Sequence, residues 1–539
     1  MSRRPTFHVK PERLLALAQE RFGVERFRPG QRELIEAVLR GENALGILPT
    51  GAGKSLTYQL PALLFGRPVL VVSPLISLMQ DQEDKLTDLE IPVAKLNSTL
   101  RASEERNVVE GLQDGAHELI YVTPERLENP HYLELLKAQR ISLFVVDEAH
   151  CVSHWGHDFR PAYLALRDAV RELGRPPVLA LTATVTPENI QDILGQLGIE
   201  GAKVIQMGVE RKNLMLEVER VPRPGQKREY LLDLLRTERG VGIVYVATVK
   251  KAVELHTFLE SHGVAAGLYH GKLKAAEREE AQRRFMADEL KVMVATNAFG
   301  LGIDKPDLRF VVHYNFPDSL EAYYQEAGRA GRDGAPARVV LLYRLEDKRL
   351  QSYFLGGKYP RRAEIIRVIT EVANLSVREP GAGVKVADLA FAVGLSERRI
   401  KVVVALLERV GILRRQRDRV ASLRAVRDEQ ELETLLSEYE GRRKSDRDRL
   451  DIMMRYAQTA QCRTRYLNLY FGEQSDEHCG HCDNCRAAGS HDLRTEEDQR
   501  AAQLLSARDE RRRLDRLIAS AVPQAHLHEP ATDPLGNVS

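Results

Sequence analysis

The chain has 539 residues, 43% of them hydrophobic and 29% charged, which is too long for a single hydrophobic core and predicts about three or four domains. No apolar run approaches the roughly 18 residues that span a bilayer, and Met1-Ser2-Arg3-Arg4-Pro5 leads into no apolar stretch, so neither a membrane nor a secretory leader is expected. The expected location is the cytoplasm, on the nucleoid if the source is bacterial. Net charge is only +2, so any contact with nucleic acid must be sought in local patches.

From about Arg40 to Ile205, short β-branched runs alternate with helical stretches. The runs include Ala44–Leu48, Val69–Ser73, Leu143–Val146 and Val178–Leu181, an α/β pattern with a parallel sheet. Thr50-Gly51-Ala52-Gly53-Lys54-Ser55 follows the first run and precedes the helical stretch Leu56–Leu64. Such a loop wraps backbone N–H groups around a β-phosphate. Its Lys54 neutralises the β/γ oxygens, and Ser55 offers a hydroxyl to Mg²⁺. Asp147-Glu148-Ala149-His150 follows the run Leu143–Val146. Asp147 suits Mg²⁺, and Glu148 suits the attacking water. Together the two motifs predict binding and hydrolysis of a nucleoside triphosphate.

A second series of runs follows Arg211: Gly242–Val246, Lys291–Ala295, Phe310–Tyr314 and Arg338–Leu342. It has no phosphate loop, and the nucleotide is expected at the junction of two α/β domains. Gln325-Glu326-Ala327-Gly328-Arg329-Ala330-Gly331-Arg332 places two arginines among glycines, as suits fingers that stabilise charge on a γ-phosphate.

Beyond Gly356-Gly357 the pattern becomes helical over Arg361–Leu375, Val386–Val393 and Ser396–Val410, with Ser396 as N-cap and a short helix-turn-helix link at Gly394-Leu395. Ile412–Leu423 could form a β-wing. Between Arg398 and Arg427 stand ten Lys/Arg against two Asp/Glu. Arg398, Arg399, Lys401, Arg414 and Arg415 are the candidate DNA contacts there. Of five cysteines, Cys462, Cys479, Cys482 and Cys485 cluster, and four thiolates suit tetrahedral Zn²⁺. His478 and His481 are the weaker alternatives as ligands. Cys151 reads as a small buried hydrophobe. The expected domains are 1–207, 208–356, 357–430, 431–488 and a charged, partly disordered tail 489–539.

These motifs resemble superfamily 2 helicases, and specifically the RecQ family, over roughly Leu14 to Arg486. Phe27-Arg28-Pro29-Gly30-Gln31 is similar to the family's motif 0, Ser73 to Gln82 to motif Ia, Leu181-Thr182-Ala183-Thr184 to motif III, and Ala295 to Pro306 to motif V. The resemblance implies two RecA-like domains and an ATP site that includes Phe27, Arg28, Gln31 (reading adenine), Thr50, Gly51, Gly53, Lys54, Ser55, Gly302, Asp304 and Gln325. Cys151 to Pro161 looks like the RecQ aromatic-rich loop. Trp155, His157, Phe159 and Arg160 would then contact single-stranded DNA, and aromatic faces stack on bases of any sequence. Cys462 is implied to lie on a helix, with the other three cysteines in a knuckle, and Tyr470-Phe471-Gly472-Glu473 matches the same module.

The implied activity is ATP-dependent 3′→5′ unwinding by a monomer acting on single-stranded and forked DNA, with DNA repair proteins as partners. The chain departs from the family in placing the winged-helix-like stretch before the zinc module. Two rivals are a translocase or RNA remodeller on the same core, and a winged-helix regulator with an inert nucleotide site.

Overall fold

The computed structural model describes residues 7, 9–97, 100, 102–153, 158, 160–300, 303, 305–352, 360–378, 383–416, 418–424, 426, 429–474 and 478–488. Among these, the first domain holds seven strands: β1 (Ala44–Ile47), β2 (Val69–Val72), β3 (Val93–Leu96), β4 (Leu119–Val122), β5 (Leu143–Val146), β6 (Val178–Thr182) and β7 (Lys203–Gln206). They pair in parallel in the order β3-β4-β2-β5-β6-β1-β7. Alternate residues feed two cores. Leu70, Val72, Phe144 and Val146 join one, and Val69, Val71, Leu143 and Val145 the other. With both faces covered by helices, the strands must be apolar throughout.

The second domain has β8 (Leu214–Arg220), β9 (Val241–Tyr245), β10 (Ala266–Tyr269), β11 (Val292–Ala295), β12 (Leu308–His313) and β13 (Ala337–Tyr343), in the parallel order β10-β11-β9-β12-β13-β8. Both domains are thus RecA-like, and residues 207–213 join them.

A small domain follows. Helices Arg362–Arg378, Val386–Val393 and Glu397–Arg409 pack with β14 (Val384–Lys385), β15 (Leu413–Gln416) and β16 (Arg419–Ser422), an antiparallel sheet ordered β14-β16-β15. This is a winged helix, with Ser396 accepting a hydrogen bond from the Arg399 N–H at 3.3 Å as the N-cap.

The helix Glu429–Gln458 runs 30 residues, about 45 Å. Its Leu436 belongs to the winged-helix core. Its far end serves the second domain, where the Tyr456 hydroxyl lies 3.1 Å from that of Tyr323 and Lys348 meets Asp451 at 3.1 Å. The two C-terminal modules therefore share one rod. Helices Arg463–Tyr470 and Asp483–Ala488 complete the cysteine region. No described helix is long and apolar enough to cross a membrane.

Candidate functional site

The ends of three adjacent strands build the site in the first domain. The phosphate loop follows β1, Thr182–Thr184 closes β6, and Asp147–Glu148 follow β5. Ligands of open α/β sheets bind at such carboxyl ends. Gly51 and Gly53 have φ of +84° and +74°, which side chains rarely adopt. Space demands glycine too: a Cβ on Gly53 would come 2.7 Å from Gln31 Nε2, and one on Gly51 3.1 Å from Arg332 Cγ.

Between the domains lies a cleft of about 900 Å³. Arg28, Gln31, Thr50, Gly51, Gly53, Lys54, Ser55, Asp147 and Glu148 line it from one domain, and Gln325, Arg329 and Arg332 from the other. Phe27 instead packs on the core of the first domain. Gly302 and Asp304 lie outside the described residues. Lys54 Nζ donates to the Leu48 carbonyl at 3.4 Å. Burial lowers its pKa, against the pull of Glu148 and Asp147. Gln31 accepts from the Arg28 N–H at 2.8 Å and donates to the Ala52 and Gly53 carbonyls at 3.0 and 2.8 Å. Arg28 also donates to the Gly51 carbonyl.

Glu148 sits at φ +50°, a left-handed conformation that costs a non-glycine residue about 1–3 kcal/mol. The turn brings its carboxylate beside that of Asp147 in the cleft. Its Oε2 is buried without a hydrogen bond, 3.3 Å from His150 Nδ1. That nitrogen is also 3.1 Å from Thr182 Oγ1. The Thr182 hydroxyl donates to the Thr184 carbonyl, and Gln325 Nε2 of the second domain donates to Thr184 Oγ1 at 3.3 Å. A polar chain thus runs from the carboxylates to the opposite domain.

Burial, then the Glu148 charge, push Asp147 up to about 7, against the Lys54 ammonium. A carboxyl raised on folding contributes stability that is fully present below its unfolded value, about 3.9, and lost as pH rises through the folded one. Between about pH 6 and pH 8 the wild type is therefore expected to lose stability, on the order of 1 kcal/mol, that Asp147→Asn does not lose. Urea unfolding read by Trp155, the only tryptophan, would measure it. Equal pH dependence in the two proteins would refute it.

The four cysteines meet as the spacing predicts. Their sulfurs all lie within 4.8 Å of one another. Tetrahedral Zn–S bonds of about 2.3 Å put sulfurs about 3.8 Å apart, so the cluster fits zinc. Backbone N–H groups of Cys479, Cys482 and Cys485 donate to the sulfurs of Cys462, Cys479 and Cys482 at 3.3, 3.3 and 3.4 Å. Cys462 is the N-cap of the helix Arg463–Tyr470 rather than a residue within it. His481 turns Nδ1 to the Cys479 carbonyl at 2.6 Å, and His478 is exposed; neither belongs to the cluster. Cys151 is buried, as expected.

The candidate DNA contacts divide. Trp155, His157 and Phe159 lie outside the described residues, as does the Arg398 side chain. Arg160 is tied to Asp158 at 3.3 Å and to the Pro74 carbonyl at 3.3 Å. Arg399 is drawn into the winged helix by Glu364, at 2.8 Å, and is 16% exposed, which commits it to packing. Lys401, Arg414 and Arg415 are exposed. The linker residue Arg211, which carries no motif signal, joins the phosphate loop to the Arg329–Arg332 loop.

Comparison with known proteins agrees. Residues 28–193 match the DEAD/DEAH box helicase family, 226–334 the helicase conserved C-terminal domain, and 421–486 the RecQ zinc-binding family. The chain is 37% identical to the ATP-dependent DNA helicase RecQ of Bacillus subtilis, over 90% of this chain and 69% of that protein. It is 41% identical to "Probable ATP-dependent DNA helicase RecS" of the same organism, over 71% of this chain and 77% of that protein. Two solved structures share the fold at low identity. They are the DUF1998 helicase MrfA bound to DNA (TM-score 0.53, 18% identity, 79% of this chain and 64% of that one) and the Mycobacterium smegmatis helicase Lhr bound to ssDNA and AMP-PNP (0.51, 22%, 78% and 61%). With its two RecA-like domains, its Cys₄ cluster and relatives that it matches over most of their length, the chain belongs to the RecQ family of ATP-dependent DNA helicases.

Proposed function

We propose that this enzyme moves 3′→5′ along single-stranded DNA and unwinds forked duplexes and recombination or repair intermediates, acting as a monomer. The observation that carries the reading is the facing of Arg329 and Arg332 across one cleft from Lys54, Asp147 and Glu148. ATP bound there is gripped by both domains. Loss of the γ-phosphate removes the partner of the arginines and lets the domains part. Glu148 orients the attacking water and takes its proton. Alternate closing and opening ratchets a DNA strand across both domains.

Ser55 and Asp147 are the oxygen donors for Mg²⁺. Hard oxygens suit that ion, and a buried carboxyl pushed up to about 7 is one that a cation would relieve. Bound there, Mg²⁺ would neutralise charge on the phosphates. If Gln31 reads the adenine edge, that contact replaces its present bonds to Ala52 and Gly53. On the DNA side, the exposed Arg414 and Arg415, with Lys401 (3.5 Å from Glu397), are the cations offered to phosphates, which favours binding without sequence preference.

Strand displacement on two duplexes, one with a 3′ and one with a 5′ single-stranded tail, tests the reading. Only the 3′-tailed duplex should open, and Lys54→Ala should open neither. DNA-stimulated hydrolysis with no unwinding of either duplex would point to a translocase.

A further inference from the structure

We propose that Arg211, in the linker between the RecA-like domains, is a positioning residue that sets the closure of the ATP cleft, and that Glu473 of the zinc region holds the linker in register for it. The proposal rests on the reading of the ATP site above. The Arg211 guanidinium donates four hydrogen bonds, all to backbone carbonyls. Nη1 reaches Thr50 at 2.9 Å and Gly328 at 3.2 Å, and Nη2 reaches Ala330 at 3.0 Å and Gly331 at 2.8 Å. Asn213 Nδ2 adds bonds to Gly331 and Ala335, both 2.8 Å. One of the four carbonyls belongs to the phosphate loop and three to the loop that carries Arg329 and Arg332.

That division has a mechanical meaning. If the domains part, three bonds travel with the arginine loop and one, to Thr50, breaks. The Thr50 contact is the reversible half of a latch. While it is made, the backbone around Arg329 is held against the phosphate loop: a Cβ on Gly328 would come 3.1 Å from Thr50 Cβ. The four acceptors are neutral carbonyls of the two loops, so the Arg211 guanidinium brings positive charge to their junction, beside a site that receives a polyanion. A guanidinium presents several donors in a fixed fork, which a point charge cannot copy.

The linker is itself held from outside. Glu473 Oε1 accepts from the Val209 N–H at 2.7 Å, and the Tyr324 hydroxyl donates to the Val209 carbonyl at 2.5 Å. Phe471 packs on Tyr324 with ring centres 5.3 Å apart. A Cβ on Gly472 would lie 2.4 Å from Pro187 Cγ in the first domain. The segment Tyr470–Glu473 thus touches both domains and the linker, two residues from Arg211.

The test is steady-state ATP hydrolysis by the full chain at saturating single-stranded DNA, with Arg211→Ala, Arg211→Lys, Glu473→Ala and the double variant Arg211→Ala/Glu473→Ala. Arg211→Ala should lower kcat by about tenfold or more and change KM for ATP by less than about threefold, because closure is lost and not ATP binding. Arg211→Lys should recover part of kcat. Glu473→Ala should lower kcat in the same sense, and the double variant should be no slower than Arg211→Ala, since both act through one linker. Wild-type kcat in Arg211→Ala, or a raised KM alone, would overturn the role of Arg211, and additive losses would overturn the clamp. If Arg211→Ala fails to fold, Arg211→Lys and Glu473→Ala carry the same kcat-against-KM readout. A wild type without DNA-stimulated hydrolysis, or a Lys54→Ala variant that retains it, would instead sink the reading of the site.

Discussion

Replacing Glu148 with glutamine is expected to slow DNA-stimulated ATP hydrolysis by about 10²–10⁴-fold while leaving ATP affinity nearly unchanged. The exchange keeps shape and removes the carboxylate proposed to accept the proton. Glu148 Oε2 is buried without a hydrogen bond, 3.3 Å from His150 Nδ1, and an amide of the same shape can keep that contact. The neighbouring Asp147 should respond. Glu148 is one of the charges that raise its pKa, so in Glu148→Gln that value falls toward the ordinary carboxylate range. Hydrolysis and binding can be separated by single-turnover phosphate release alongside titration with a fluorescent ATP analogue. Lys54→Ala is the contrast: in the proposed reading Lys54 neutralises the bound phosphates, so its loss should remove hydrolysis at an earlier stage. Retention of a tenth or more of the wild-type rate in Glu148→Gln would remove Glu148 from the role of base.

Why this site could be read from residues alone is a matter of geometry along the chain. The phosphate loop, the Asp147–Glu148 pair and the Arg329–Arg332 loop are each contiguous, and each adjoins a strand or a helix end. The eight apolar runs named from the sequence are β1, β2, β5, β6, β9, β11, β12 and β13, every one interior to its sheet, and the equally apolar interior β4 is not among them. The edge strands β3, β7, β8 and β10 carry lysines, glutamates or glycine and give no such signal. The helix Glu429–Gln458 was obscured for two reasons. Gly441 interrupts its propensity by about 1 kcal/mol, and its apolar residues serve two different domains at its two ends. Arg211 could not be found because its partners are carbonyls, which every residue has. Arg399 misled for a related reason: a basic residue at a helix start looks like a phosphate contact until Glu364, 35 residues upstream, is seen beside it.

Exchanging Cys482 for alanine should release the zinc and unfold much of the segment from Gln461 to Ala488, and the damage should spread to the second domain. A structural zinc contributes about 10–16 kcal/mol of apparent binding free energy, as much as the whole stability of a typical domain. The zinc acts together with side-chain bonds that tie the segment to its surroundings, among them Tyr470 to Glu321 at 2.6 Å and Asn484 to the Thr459 and Gln461 carbonyls at 3.0 and 2.6 Å. Arg463 pairs with Asp483 at 2.6 Å, and Arg486 with Glu217 at 2.5 Å. The edge strand β8 depends on this knuckle, because the Asp483 carboxylate accepts the Val218 N–H at 2.8 Å. Without it, β8 presents an unpaired backbone donor at the margin of a six-stranded sheet, a template for association. Cys482→Ala is therefore expected to bind less than one zinc per chain, to be cut by protease within the segment, and to aggregate at concentrations where the wild type does not. Cys151→Ala, a buried cysteine outside the cluster, should keep its zinc and is the control. Full zinc content and an unchanged protease pattern in Cys482→Ala would mean that three thiolates and the surrounding hydrogen bonds suffice. If the segment does unfold, Glu473 no longer holds Val209, and kcat should fall together with the zinc content even though no cysteine lines the ATP cleft.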